Sequence, residues 1–194
     1  MIAGVQVQSI RLGLCGLGTV GGAVLDVLER NGDEIARRAG RAISVTALGV
    51  RRARPELEAP SRRIERDIMA VAAADDVDVL VELIGGTTLA RDLVLRAIEH
   101  GKHVVTANKA LIAEHGTEIF AAAEARGVAV AFEAAVAGGI PLIKAIREGL
   151  AANRLAWLAG IVNGTSNFIL TEMRSTGREF DDVLAQAQAL GYAE

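Results

Sequence analysis

The chain has 194 residues, with 21 Lys and Arg against 24 Asp and Glu, a formal net charge of −3 that argues against a general nucleic-acid binder. Its 51% hydrophobic content supports one core and the start of a second, yet no apolar run approaches the roughly 20 residues of a membrane span. The N-terminus has no basic segment ahead of an apolar stretch, and Cys15 is the single cysteine, so the sequence predicts a cytoplasmic protein without signal peptide or internal disulfide.

Residues 10–15 alternate Ile10, Leu12 and Leu14 with Arg11, Gly13 and Cys15, which predicts a strand. Cys15 inside it reads as a buried, inert thiol. Gly16-Leu17-Gly18-Thr19-Val20-Gly21 follows, a G-x-G-x-x-G spacing. Val20, Val24, Val27, Leu28 and Ile35 then share one helical face, predicting a single long helix over 19–39. Glycines between a strand and a helix point to dinucleotide binding. Gly16 permits the tight turn, Gly18 lets a pyrophosphate approach, and Gly21 lets the helix pack close to the strand. The N–H groups and dipole of the new helix would hold the phosphate charge. A glycine-rich turn in another kind of α/β domain is the plainer alternative.

Residues 42–50 predict a second strand, followed by Arg51, Arg52 and Arg54 in a polar loop with Pro55 and Pro60. Arginine at that tip suits a ribose 2′-phosphate, because the planar guanidinium pairs with phosphate oxygens, and so favours NADP over NAD. A solvated loop is the alternative. Residues 68–74 predict a short helix. The nearly all-apolar stretch at 77–84 (VDVLVELI) reads as a strand covered on both faces. It ends at Gly85-Gly86-Thr87-Thr88, beyond a strand's carboxyl end, where ligands lie in such sheets. A helix over 89–100 with Gly101 as its cap, a strand over 102–107, Asn108-Lys109, a helix over 117–126 and a strand over 128–132 complete the series. The alternation predicts an α/β, doubly wound parallel sheet.

The pattern changes at Glu133, where small residues over 133–140 suggest a hinge. Pro141 opens a helix whose buried face would be Leu142, Ile146, Gly149 and Leu150. Leu155, Trp157, Ala159 and Ile161 alternate as a strand, Asn163 to Asn167 form a turn and helix start, and a last helix covers about 181–190. The expected division is 1–136 for nucleotide binding and 137–194 for the beginning of a second domain. His100, His103 and His115 show no spacing of a transition-metal site.

Six stretches carry a resemblance to homoserine dehydrogenase: GLGTVGG (16–22), VELIGG (81–86), VVTANKALIA (104–113), FEAAVAGGIPLI (132–143), GIVNGTSNFILTEM (160–173) and LGYAE (190–194). Their order and spacing together are highly specific. That family interconverts L-homoserine and L-aspartate 4-semialdehyde by hydride transfer with NADP or NAD, in threonine, methionine and isoleucine synthesis. The resemblance implies a Rossmann-type sheet followed by the start of an α+β catalytic and dimerisation domain, a homodimer for the full-length protein, and no nucleic-acid or membrane partner.

It also implies roles by position. Leu17, Thr19 and Val20 line the pyrophosphate turn with Gly16, Gly18 and Gly21, Arg51 takes the 2′-phosphate, and Gly86 and Thr87 lie along the cofactor. Lys109 reaches toward nicotinamide and substrate, where an ammonium can hydrogen-bond a hydroxyl or carbonyl. Glu133 with the carbonyls of Val136, Gly138 and Ile140 matches a sodium-binding loop; an ion-free glycine hinge is what the residues alone suggest. Gly164, Thr165, Tyr192 and Glu194 match substrate contacts, with Glu194 suited to the substrate amine. The family's acid–base lysine lies just beyond the LGYAE stretch, so the sequence reads as the front portion of the enzyme, binding cofactor without turnover. A non-catalytic NAD(P)-binding module is the competing class. The dehydrogenase part of a fused aspartate kinase is another, disfavoured because the nucleotide strand starts within ten residues of Met1.

Overall fold

The structure, a computed structural model, describes residues 8–52, 54, 57 and 59–193. Its backbone divides into two compact units, Met1–Gly149 and Leu150–Glu194.

The first unit is a six-stranded parallel sheet in the order β3-β2-β1-β4-β5-β6. The strands are β1 (Ile10–Cys15), β2 (Ile43–Gly49), β3 (Arg63–Glu65), β4 (Val79–Glu82), β5 (His103–Thr106) and β6 (Val130–Ala131). Helices α1 (Thr19–Arg30), α2 (Gly32–Ala39), α3 (Ile68–Ala73), α4 (Thr88–Glu99) and α5 (Lys109–Arg126) connect them. Both faces of the central strands are buried, whereas β5 and β6 bury one face, with His103, Val105 and Ala131 exposed on the other. Leu12, Leu14, Leu48 and Val81 pack with Leu25 of α1 in one cluster. Cys15, Ala47, Leu80 and Val104 pack with Val71, Leu93, Leu111 and Ile119 of α3, α4 and α5 in the other. Consecutive strand residues thus serve opposite cores, which is why these strands read as apolar runs.

The structure departs from the sequence reading where tertiary context rules. The long first helix breaks at Asn31, whose N–H closes α1 on the Val27 carbonyl before α2 starts at Gly32. Asn-Gly is a turn pair, and two short helices result. The buried stripe of α1 is Gly21 and Leu25, while Val20 and Val27 stand 54% and 39% exposed beside it. Strand β3 carries one apolar residue between two charges and gave no periodic signal; pairing with β2 makes it a strand. Helix α5 begins at Lys109 rather than Thr117, because the Asn108 side chain caps it on the Leu111 N–H at 3.1 Å. Pro141 stands just before α6 (Leu142–Lys144), which widens into a five-residue π turn, Ala145–Gly149. Leu142 and Ile146 are half-buried there, but Gly149 and Leu150 are exposed.

At the amino end of β1, Arg11 grips Asp78 through two side-chain bonds of 2.6 and 3.0 Å, and its own N–H adds a third at 2.9 Å. The Arg11 hydrogen bond holds the Asp78 carboxyl below the usual carboxylate range, against the opposing effect of burial. A depressed carboxyl stabilises the fold above its unfolded pKa and loses that contribution as pH falls through the folded value. Asp78→Asn should therefore lower the urea midpoint at pH 7, and its deficit should shrink as pH drops below about 4. A deficit that stays constant down to acid pH would rule the ion pair out as its cause.

Among the described residues, the regular structure of the second unit is helical. Helices α7 (Gly164–Thr176) and α8 (Phe180–Ala189) pack through Ile169, Val183 and Ala187. Asn163 caps α7 by accepting the Ser166 N–H at 2.7 Å. The strand expected at 155–161 does not form: Leu155, Trp157 and Ile161 are 48%, 80% and 78% exposed, and among the described residues no neighbouring strand offers a ladder. An alternating segment without a partner strand gains nothing from strand geometry. Among the described residues, no helix is long and apolar enough to cross a membrane.

Candidate functional site

The strand order reverses at β1, between β2 and β4, so a crevice opens beyond the carboxyl ends of β1 and β4. The glycine turn lies there. Gly16 has φ +101°, and a Cβ on it would stand 2.4 Å from the Leu83 carbonyl oxygen after β4. A Cβ on Gly21 would stand 1.8 Å from the Gly16 carbonyl oxygen, so the helix packs against the turn more closely than against the strand. Gly18 differs: φ is −78°, and a Cβ would meet no protein atom within 4 Å. Gly18, Thr19 and Val20 face solvent, and Leu17 packs half-buried under the turn. Helix α1 has no side-chain cap and no acidic residue in its first turn. Its first N–H groups are therefore free for an anion, and the open space over Gly18 fits a pyrophosphate.

The turns after β4 and β5 adjoin this crevice. Cys15, Glu82 and Thr106 are register partners on β1, β4 and β5. Burial first, and then the nearby Glu82 charge, pushes the Cys15 thiol up to about 12, so it stays an unreactive thiol at neutral pH. Glu82 is fully buried. It accepts the Ile84 N–H at 2.9 Å and the Gly85 N–H at 3.3 Å on one oxygen and the Thr106 hydroxyl at 2.6 Å on the other. Thr106 Oγ1 accepts the Asn108 N–H at 3.0 Å, and Asn108 Nδ2 donates to the Gly86 carbonyl at 2.7 Å. Gly86 and Thr87 thus lead into α4 beside the start of α5, where Lys109 is the first residue and exposed. Arg51 and Arg52 are exposed just past β2.

At the end of the first unit, the Glu133 carboxylate accepts the Ile143 and Lys144 N–H groups at 2.9 and 2.8 Å, capping α6. Val136, Gly138 and Ile140 lie in the intervening loop, which turns through Ala137 at φ 48° and Gly139 at φ 85°. All four members of the expected sodium set offer oxygen donors, and each carboxylate oxygen has a second lone pair beyond the N–H it accepts.

In the second unit an open cavity of about 520 Å³ is lined by Gly164, Thr165, Phe168, Glu172 and Tyr192, among others. The Thr165 hydroxyl donates to the Tyr192 carbonyl, and the Tyr192 and Phe168 rings meet edge to face at 5.1 Å. Three of the expected substrate residues, Gly164, Thr165 and Tyr192, therefore share one cavity. Glu194 lies outside the described residues.

Residues 16–133 match the profile of the homoserine dehydrogenase NAD-binding domain, and residues 141–194 match the homoserine dehydrogenase profile. The chain belongs to the homoserine dehydrogenase family. It is 66% identical over 187 residues to homoserine dehydrogenase of Pseudomonas aeruginosa, covering 96% of this chain and 43% of that protein. The Neisseria gonorrhoeae enzyme is 57% identical over 188 residues, with the same coverages of 96% and 43%. The crystal structure of a homoserine dehydrogenase from Thiobacillus denitrificans superposes with a TM-score of 0.87 at 59% identity, covering 96% of this chain and 44% of that one. The chain thus spans less than half the length of these relatives.

The two homoserine dehydrogenase profiles part between residues 133 and 141, whereas the first compact unit runs to Gly149. The bonds from Glu133 to Ile143 and Lys144 span that interval. Sequence reading missed Glu82, Thr106 and Asn108. Asn108 had a local signal, a capping residue before an apolar run. Glu82 had only its oddity as a carboxylate inside an apolar strand.

Proposed function

We propose that the full-length protein interconverts L-homoserine and L-aspartate 4-semialdehyde with NADP, and that residues 1–194 carry its cofactor site and part of its substrate site. The observation that carries this reading is the uncapped glycine turn opening on the same sheet edge as the Gly86–Lys109 side, in a chain of this family. Bound NADP supplies the hydride acceptor. Helix α1 and the Gly16 to Gly21 turn bind the pyrophosphate, Arg51 holds the 2′-phosphate, and Gly86 and Thr87 line the cofactor. Lys109 donates a hydrogen bond to the reacting oxygen and steadies charge developing on it. In the second unit, Gly164, Thr165, Tyr192 and Glu194 are the substrate contacts that the family resemblance implies, with Glu194 suited to an ammonium. No residue of 1–194 is assigned the hydroxyl proton. Na+ at Glu133, Val136, Gly138 and Ile140 would brace the loop before α6. The exposed Leu155, Trp157, Leu158, Ile161 and Val162 supply apolar surface for a homodimer of the full-length protein.

The test is L-homoserine-dependent reduction of NADP by the 194-residue chain and by the protein extended to its relatives' length. The longer protein should turn over, and the 194-residue chain should bind NADP with activity lower by roughly 10²–10⁴-fold, the usual worth of general acid–base help. A folded longer protein that binds NADP and leaves L-homoserine unchanged sinks the substrate assignment.

A further inference from the structure

We propose that Asn108, backed by Thr106 and Glu82, is a positioning latch that locks the turn at residues 85–87 to the start of α5 and so sets the cofactor wall opposite Lys109. The inference rests on the function proposed above only for the identity of the ligand. Gly85 and Gly86 are consecutive left-handed residues, at φ 74° and 70°, and a Cβ on either would meet no atom within 4 Å. Packing therefore does not hold this turn. Hydrogen bonds do: Ile84 and Gly85 donate to Glu82, and Gly86 accepts from Asn108.

The chain of bonds has one direction. Asn108 N–H donates to Thr106 Oγ1, the Thr106 hydroxyl donates to Glu82, and the buried carboxylate is the common acceptor. The Asn108 side chain is the member that joins the two elements. Its Oδ1 caps α5 on Leu111, and its Nδ2 reaches across to Gly86. An amide satisfies both; a carboxylate caps equally well but has no proton for Gly86. Asn108→Asp therefore separates the latch from the helix cap.

The experiment uses the full-length protein with NADPH as probe, comparing the parent with Asn108→Asp, Thr106→Ser and Thr106→Val. Amide exchange at 84–88 is read without ligand, beside NADPH affinity, kcat and KM for L-homoserine, and Tm. Asn108→Asp should keep the parent Tm, speed exchange at 84–88, and weaken NADPH binding roughly 3- to 10-fold, the scale of one lost hydrogen bond. Thr106→Ser should behave as the parent, and Thr106→Val should follow Asn108→Asp in exchange and affinity. Parent-like exchange or parent-like NADPH affinity in Asn108→Asp overturns the latch, as does loss of affinity only in proportion to lost Tm. A parent that fails to oxidise L-homoserine while the exchange and affinity shifts appear refutes the substrate reading and leaves the latch standing.

Discussion

Gly18→Ala should leave the fold intact and weaken NADPH binding by roughly tenfold or more, the cost of forcing a methyl into an occupied contact. Its φ of −78° suits alanine and its Cβ would meet no protein atom within 4 Å, so the free chain has nothing to clash with. Loss of unfolded-state freedom should even add about 0.4–1 kcal/mol of stability. Gly21→Ala should do the reverse. Its Cβ would sit 1.8 Å from the Gly16 carbonyl oxygen, which is backbone and cannot swing aside. Helix α1 must then back away from the turn, at about 1–3 kcal/mol, and the N–H cradle goes with it. Gly16→Ala combines a 2.4 Å approach to the Leu83 carbonyl oxygen with a φ of +101°, so strain adds to the clash. Gly22→Ala is the control, since its Cβ lies in open space within α1. Urea midpoints by circular dichroism and NADPH fluorescence titrations on these variants separate the two effects. Parent-like affinity in Gly18→Ala means that no phosphate lies over the turn.

The same contrast explains which parts of the molecule were legible in the sequence. Strand β1 and the turn after it carry their signal locally: an alternating run, then glycines at a recognisable spacing, of which Gly21 answers to the Gly16 carbonyl five residues back while Gly16 answers to the distant Leu83 carbonyl. The parallel sheet followed from its apolar strands, because a strand covered on both faces is mostly apolar. Strand β3 is different. Arg63, Ile64 and Glu65 have no strand signature, and only their register with Ala47, Leu48 and Gly49 makes them one. The reverse holds at 155–161, where the alternation is present and the partner strand is not among the described residues. The glycine turn was visible because its neighbours in sequence define it, and Lys109 was singled out by the family resemblance and by its place after a strand. Glu82 was not, since its meaning comes from Thr106, 24 residues on, whose hydroxyl meets it only after β4 and β5 align. The start of α5 was half-visible: Asn108 signals a cap, but Gly116, a poor helix former, stands mid-helix and suggests a boundary that packing overrides.

Lys109→Met in the full-length protein should lower kcat/KM for L-homoserine roughly 10- to 100-fold, the worth of one charge-assisted hydrogen bond in the transition state. It should leave the fold as stable as before, or more so. Lys109 is the first residue of α5, at the positive end of the helix dipole, where a cation is repelled by about 0.3–1 kcal/mol. Methionine keeps the apolar stem and relieves that repulsion. The α5 cap comes from Asn108 and is untouched, and the Lys109 side chain is exposed, so no buried packing is lost. Stability and activity should therefore move in opposite directions, with Tm unchanged or raised as turnover falls. A lysine kept solely for the fold predicts that both fall together, and an incidental surface lysine predicts that neither moves. Lys109→Arg sharpens the distinction. It restores charge at the same helix end but offers a rigid planar fork in place of a compact ammonium, so it should recover the stability of the parent and little of its kcat/KM.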